Sequence, residues 1–199
     1  MVKQTKDPIG FAIVDKPAGL TSHDVVAEAR KIFGTKKIGH SGTLDPDATG
    51  VLILGIGRAT RLLQFLTLLS KSYSGEIVFG KETSTLDSSG EVISVHEMTN
   101  LNPSEVSEAT RFFLGEIEQT PPMVSAVKVR GKRLYELARE GKEIDRPSRQ
   151  VRVESFEVTA TEDPLVYQTF VDCSSGTYIR SLAADLGSAL GGGAYLRNL

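Results

Sequence analysis

The segment that most restricts this chain runs from Gly39 to Gly55, where a polar loop containing three glycines passes directly into the apolar stretch Val51-Leu-Ile-Leu-Gly55. Five residues are too few, and too uniformly apolar, for a surface helix, so the stretch predicts a central strand. Upstream, Gly10–Val14 reads as a short buried strand ended by the turn-forming Lys16-Pro17-Ala18-Gly19. A helix should follow, capped by Thr21 or Ser22, with Val25, Val26, Ala29, Ile32 and Phe33 at helical spacing and Gly34 as a left-handed stop. Arg58–Leu69 predicts a further helix.

Beyond it, Tyr73–Gly80 and Glu91–Val95 flank a Ser/Thr/Asp/Gly-rich connection, the pattern of two strands joined by a loop. Asn102 should cap a helix that has Pro103 in its first turn, Ala109, Phe112 and Phe113 as its apolar face, and Gly115 as its end. Two more strands, Val151–Ala160 and Leu165–Cys173, lead to a last helix over Tyr178–Leu190. Hairpin-like neighbours rather than regular βαβ units imply an α+β class: a mixed, largely antiparallel central sheet with flanking helices. At 199 residues the chain is expected to form one compact domain, in which the proline-flanked, basic stretch 119–152 is an inserted arm.

Composition narrows the function classes. No apolar run reaches the roughly 20 residues that cross a bilayer, and the N-terminus lacks a secretory signal, so a cytoplasmic protein without a membrane partner is expected. A lone cysteine, Cys173, forms no internal disulfide, and no zinc-ligand spacing surrounds it, so no metal is expected. The net charge of −2 hides two basic segments, with nine basic against six acidic residues in 1–70 and nine against four in 119–152. A polyanion would meet those segments first.

The loop Gly39-His-Ser-Gly-Thr-Leu-Asp-Pro-Asp-Ala-Thr-Gly50 is the densest chemical signal. It lacks the Gly-Lys-Ser/Thr of a phosphate-binding loop, and Gly55-Ile-Gly57-Arg-Ala-Thr60 fails the dinucleotide fingerprint at its third glycine. Pro46 pushes Asp45 out of the helical region and holds its backbone extended, a way to aim one short carboxylate. By itself Asp45 fits an Asx turn as well as it fits catalysis, and His40 fits a hydrogen-bonded turn residue. A second cluster, Ser174 to Gly187, is a turn entering a helix; Leu182 and Leu186 should point inward, and Arg180 is either a solvated arginine or the partner of a loop carboxylate.

Three separated blocks, Asp15-Lys-Pro-Ala-Gly-Leu-Thr-Ser22, Gly39 to Gly50, and Gly176-Thr-Tyr-Ile-Arg-Ser-Leu-Ala-Ala-Asp-Leu-Gly187, together resemble the TruB family of pseudouridine synthases in order and spacing. The resemblance implies the pseudouridine synthase fold and conversion of a uridine in the T-arm of tRNA, by a monomer that needs no cofactor. It implies Asp45 as the catalytic aspartate, Tyr73 stacked on the target base and a candidate for proton transfer, Tyr178 below the base, and Arg180 paired with the aspartate. His40 would occupy space near the flipped nucleotide, and Leu199 would be an apolar substrate contact. The arm would clamp RNA backbone through Lys128, Arg130, Lys132 and Arg133, extended by Arg139, Lys142, Arg146 and Arg149; Lys16 reads as structural or weakly RNA-contacting.

The chain departs from the family at Thr83-Ser84-Thr85 and at Asp47, and it stops at Leu199, so no C-terminal RNA-binding domain is expected and the affinity for full tRNA should suffer. Three other readings compete: a non-catalytic tRNA-binding module, a guide-dependent synthase, and an aspartate glycosidase, although no second carboxylate is evidently placed opposite Asp45.

Overall fold

The computed structural model describes residues 8–199 apart from 100, 126, 130, 135, 136, 138, 139 and 143. The chain divides into two units, Met1–Leu69 with Asn198 and Ser70–Arg197 with Leu199. In the first, strands β1 (Gly10–Lys16), β2 (Ile38–His40) and β3 (Gly50–Ile56) form an antiparallel sheet in the order β1-β3-β2, so the apolar stretch is central, as its composition predicts.

Helix α1 (Ser22–Ile32) starts from Thr21, whose hydroxyl accepts the Asp24 N–H at 3.1 Å while the Asp24 carboxylate accepts the Thr21 N–H at 2.9 Å. This reciprocal box satisfies two amides that a helix start otherwise leaves open. Val25, Val26 and Ala29 bury against Leu52, Leu54, Ile56 and Ile38. Ile32 and Phe33, which share the helical spacing, are exposed, so the buried stripe stops at Ala29. The region expected to be one helix over Arg58–Leu69 is instead a 3-10 turn, Gly57–Leu62, followed by the short helix α2 (Leu63–Thr67). The Thr60 hydroxyl donates to the Gly57 carbonyl at 2.8 Å and tightens that turn. Leu63 then seats on Gly55, where an added Cβ would lie 2.9 Å from its Cγ.

The second unit is built on a five-stranded sheet, β12-β4-β11-β10-β7, with every ladder antiparallel. Its strands are β4 (Lys71–Phe79), β7 (Gly115–Gln119), β10 (Arg149–Ala160), β11 (Val166–Cys173) and β12 (Ala194–Arg197). Helices α3 (Pro103–Ala109) and α4 (Ile179–Ala189) supply Val106, Ala109, Ile179, Leu182, Ala183 and Leu186 to a core shared with Ile77, Phe79, Val153, Phe156, Tyr167 and Val171. Leu182 and Leu186 are fully buried, each contributing about 1.5–3 kcal/mol. A bulge between Val153 and Ser155 shifts the inward alternation of β10, so that Val151, Val153 and then Phe156 face the core.

Three local expectations are corrected. Strand β6 (Val92–Val95) pairs with a short β5 (Lys81–Thr83) rather than with β4, because Gly80, at φ +85°, turns the chain out of the main sheet. Asn102 does cap α3, but the helix tightens to a 3-10 turn at Thr110–Phe113; this buries Phe113 against Phe156 and leaves Phe112 exposed. Gly115, expected as a helix end, opens β7. In the basic stretch, β8 (Lys128–Val129) and β9 (Lys132–Arg133) form a hairpin, followed by the buried Leu134 and Leu137.

Candidate active site

In the first unit, the loop that carries Asp45 is held from three sides. Lys16 is fully buried at the end of β1, and its ammonium donates to the carbonyls of Pro17 at 2.9 Å, Leu20 at 2.7 Å and Pro46 at 2.9 Å. The Gly19 N–H also reaches the Pro46 carbonyl at 2.9 Å. On the other side of Asp45, the Leu44 N–H donates to the Ser22 hydroxyl at 3.0 Å. The Asp45 carbonyl accepts from the Ala48 N–H at 3.1 Å, closing a turn. Leu44 and Pro46 are thus both pinned, and the half-buried Asp45 stands between them with its backbone direction set.

Lys16 therefore organises the loop. Burial lowers its pKa, and the charges of Asp47 and Asp45 oppose that fall, so a buried cation is held beside both loop carboxylates. His40 closes β2, and its Nδ1 lies 2.7 Å from the Gly42 carbonyl. A carbonyl can only accept, so Nδ1 carries the hydrogen. The ring thus makes the turn contact expected of it without the family resemblance, at a place adjoining the Asp45 loop.

In the second unit, Tyr73 on β4 lies opposite Val171 and, with Leu199, packs half-buried against the main core. Tyr178 is the residue from which α4 starts. Arg180 is not a solvated arginine: it is 3% exposed. Its Nη1 lies 3.1 Å from the Asp87 carboxylate and donates to the Thr85 carbonyl at 2.9 Å, while Nη2 donates to the Val124 carbonyl at 2.9 Å.

Asp87 is the functional candidate that sequence reasoning missed. One carboxylate oxygen accepts from the Thr85 hydroxyl at 2.6 Å and the Ser89 N–H at 3.0 Å, ordering the turn, and the other faces Arg180. Leu86, at φ +61°, and a parallel bridge from Asp87 to Leu196 dock that turn on β12. The spacing Thr85-x-Asp87-x-Ser89 is an Asx-turn signal and was legible; its arginine partner, 93 positions later, was not.

Asp45 and His40 belong to the first unit, whereas Tyr73, Tyr178, Arg180 and Leu199 belong to the second. The backbones of Lys128, Lys132 and Arg133 lie in the β8–β9 hairpin, and Arg130 falls outside the described residues. Arg146 donates to the Pro121 carbonyl at 3.0 Å, which ties the two ends of the arm together. Among the described residues, no group of three or more His, Cys, Asp or Glu side chains could hold a metal ion, and no helix is long and apolar enough to cross a membrane.

Residues 30–179 match the sequence profile of the family described as TruB family pseudouridylate synthase (N terminal domain). The chain is 50% identical over 200 residues to a tRNA pseudouridine synthase B of Mycobacteroides abscessus, covering 97% of this chain and 67% of that protein. It is 51% identical over 191 residues to one of Streptococcus agalactiae, covering 92% and 64%. The chain thus spans about two thirds of the length of these curated relatives. Among solved structures, the fold resembles a chain in a crystal structure of a Cbf5-Nop10-Gar1 complex, at a TM-score of 0.72 and 33% identity over 95% of this chain and 46% of that one.

Proposed function

The chain belongs to the TruB family of pseudouridylate synthases, and from that premise we propose that it converts a uridine in the T-arm of tRNA to pseudouridine, with Asp45 as the reacting carboxylate. The reaction breaks N1–C1′, turns the uracil, joins C5 to C1′ and moves the C5 proton to N1, so product and substrate are isomers. A carboxylate serves it by bonding to C1′ or by assisting a glycal intermediate, holding the sugar while the base is detached. Arg180 lends positive charge that keeps the reacting carboxylate ionised. Tyr73 and Tyr178 bound the freed base with aromatic surface, and Tyr73 is the candidate for the later proton transfer.

In this reading His40 and Leu199 shape the space of the flipped nucleotide, and the 119–152 arm clamps RNA backbone through Lys128, Arg130, Lys132 and Arg133. The protein acts as a monomer in the cytoplasm, without metal or cofactor. The observation that carries the reading is the mounting of Asp45 between Leu44, held by Ser22, and Pro46, held by Lys16 and Gly19. A carboxylate that only made a turn would not require a buried lysine to fix its neighbour. The 50% identity to relatives named tRNA pseudouridine synthase B favours a tRNA substrate over guide-directed modification.

The test is incubation with an unmodified T-arm stem-loop transcript, followed by nucleoside mass spectrometry for pseudouridine. Wild type should convert it and Asp45→Asn should not. Normal turnover by Asp45→Asn removes the mechanism, and release of free uracil points to a glycosidase instead.

A further inference from the structure

We propose that Gln119 and Arg149, two residues that face each other across the β7–β10 ladder, are positioning residues that mount Tyr178 in its working orientation. The proposal deepens the reading above, since it rests on Tyr178 being the tyrosine beneath the base. Directly opposed residues on antiparallel strands project to the same face, and here that face carries α4. Both side chains end on Tyr178 and its turn, by different means.

Gln119 takes the backbone. Tyr178 starts α4 without any side-chain cap, since a phenol cannot reach back as a serine or aspartate would. Its N–H instead donates to Gln119 Oε1 at 2.7 Å, and Gln119 Nε2 donates to the Tyr178 carbonyl at 3.0 Å. A peptide N–H cannot accept and a carbonyl cannot donate, so this pairing fixes the orientation of the amide. Gln119 is 1% exposed, leaving no solvent to replace either bond.

Arg149 takes the ring. Its guanidinium carbon lies 4.4 Å from the Tyr178 ring centroid, and Nη2 donates to the Gly176 carbonyl. Gly176 sits at φ +90°, the left-handed region that glycine adopts without strain, and this orientation presents its carbonyl to Arg149. The Nε of Arg149 is buried without a hydrogen-bond partner, which is costly for a residue whose only task is to carry charge at the surface. Its charge count places Arg149 among the phosphate-clamping residues of the arm, but its geometry assigns it to the tyrosine. With one ring face covered by the guanidinium, the uracil is left the other face and the ring edge.

The experiment uses the 199-residue protein and the T-arm stem-loop, with kcat and KM measured separately. Gln119→Leu is expected to lower kcat about 10- to 100-fold, the scale of a sub-ångström to 1 Å misplacement, with KM shifting by less than about threefold. Gln119→Glu still accepts the Tyr178 N–H but sets an oxygen against its carbonyl, so it should recover only part of the loss. Arg149→Met should also lower kcat, Arg149→Lys should recover part of it, and the Arg149→Met effect should vanish in a Tyr178→Leu background, where no ring remains to be covered.

Wild-type kcat in Gln119→Leu and Arg149→Met overturns the proposal while leaving the proposed function standing. So does an Arg149→Met effect confined to KM and its salt dependence, which marks a phosphate contact. If Gln119→Leu does not fold, the Arg149–Tyr178 cycle decides. If wild type makes no pseudouridine, the functional reading fails, and the mount is then judged by NMR of 13C-labelled tyrosine. Arg149→Met must move the Tyr178 ring resonances, assigned with Tyr178→Phe, and unmoved resonances overturn it.

Discussion

Replacing Lys16 by methionine removes a buried ammonium while keeping most of its volume, and it isolates what that charge does for the Asp45 loop. Three carbonyls lose a donor: Pro17, Leu20 and Pro46. Pro46 retains the Gly19 N–H at 2.9 Å, so two carbonyls are left without the charged donor that served them. Pro17 and Leu20 are exposed residues, so water can take the place of the lost donor, and each bond is worth about 0.5–1.5 kcal/mol, or about 1–3 kcal/mol for the pair. Methionine also spares the burial of a charge, the effect that lowers the Lys16 pKa, and this offsets part of the loss. The expected net destabilisation is about 1–2 kcal/mol, read as a fall of about 0.5–1 M in the urea midpoint.

Lys16→Arg should not rescue it, because a planar guanidinium cannot direct three donors at convergent carbonyls. Pseudouridine formation should fall further than the unfolded fraction explains, since Pro46 would then be held by Gly19 alone and Asp45 would swing with it. A midpoint within about 0.3 M of wild type, together with unchanged turnover, would refute the assignment of Lys16 as the organiser of the loop.

Two further outcomes follow from the second unit. Asp87→Asn keeps the turn contacts of Oδ1 but removes the charge facing Arg180, leaving a buried guanidinium under-compensated. It should cost about 1–3 kcal/mol in thermal or urea unfolding, the lower range because Asp87 is 21% exposed, and should reduce turnover; full activity at wild-type stability would dismiss the pair. Burial pushes the Cys173 thiol up, with the Thr177 hydrogen bond opposing it, so the native state keeps a proton that the unfolded chain releases near the ordinary thiol value. The associated stability is present below that value and lost as pH rises through the folded pKa. Alkylation by iodoacetamide near pH 8.5 should accordingly be slow until denaturant is added, and rapid native alkylation would contradict the burial.

What the sequence made legible was whatever depends on near neighbours. The helix caps at Thr21 and Asn102 involve partners two or three positions away, and β3 is marked by its own apolar run, so spacing and composition predict them. Phe112 failed for a complementary reason. A helical reading places it with Ala109 and Phe113, but the change to a 3-10 turn rotates it to solvent, and that change is set by how Phe113 meets Phe156 on a distant strand. Strands β7 and β12 were not anticipated: they are short, begin on or just after a glycine, and acquire their partners in β10 and β4 only on folding.

The candidate site divides along the same line. The motif blocks and their order, read against the family, marked Asp45, Tyr73, Tyr178 and Arg180, because those residue types at those places are what the chemistry demands. Spacing could not reveal that Lys16 is buried against a carbonyl 30 positions away, that Arg180 meets Asp87, or that Gln119 and Arg149 converge on Tyr178. A charged or amide side chain reads as surface until folding brings its partners to it, and only tertiary structure decides whether burial is offset by bonds. The sequence by itself, read against the family, determined which groups are candidates for the chemistry; the packing of β1, β7 and β10 decided which other side chains contact them.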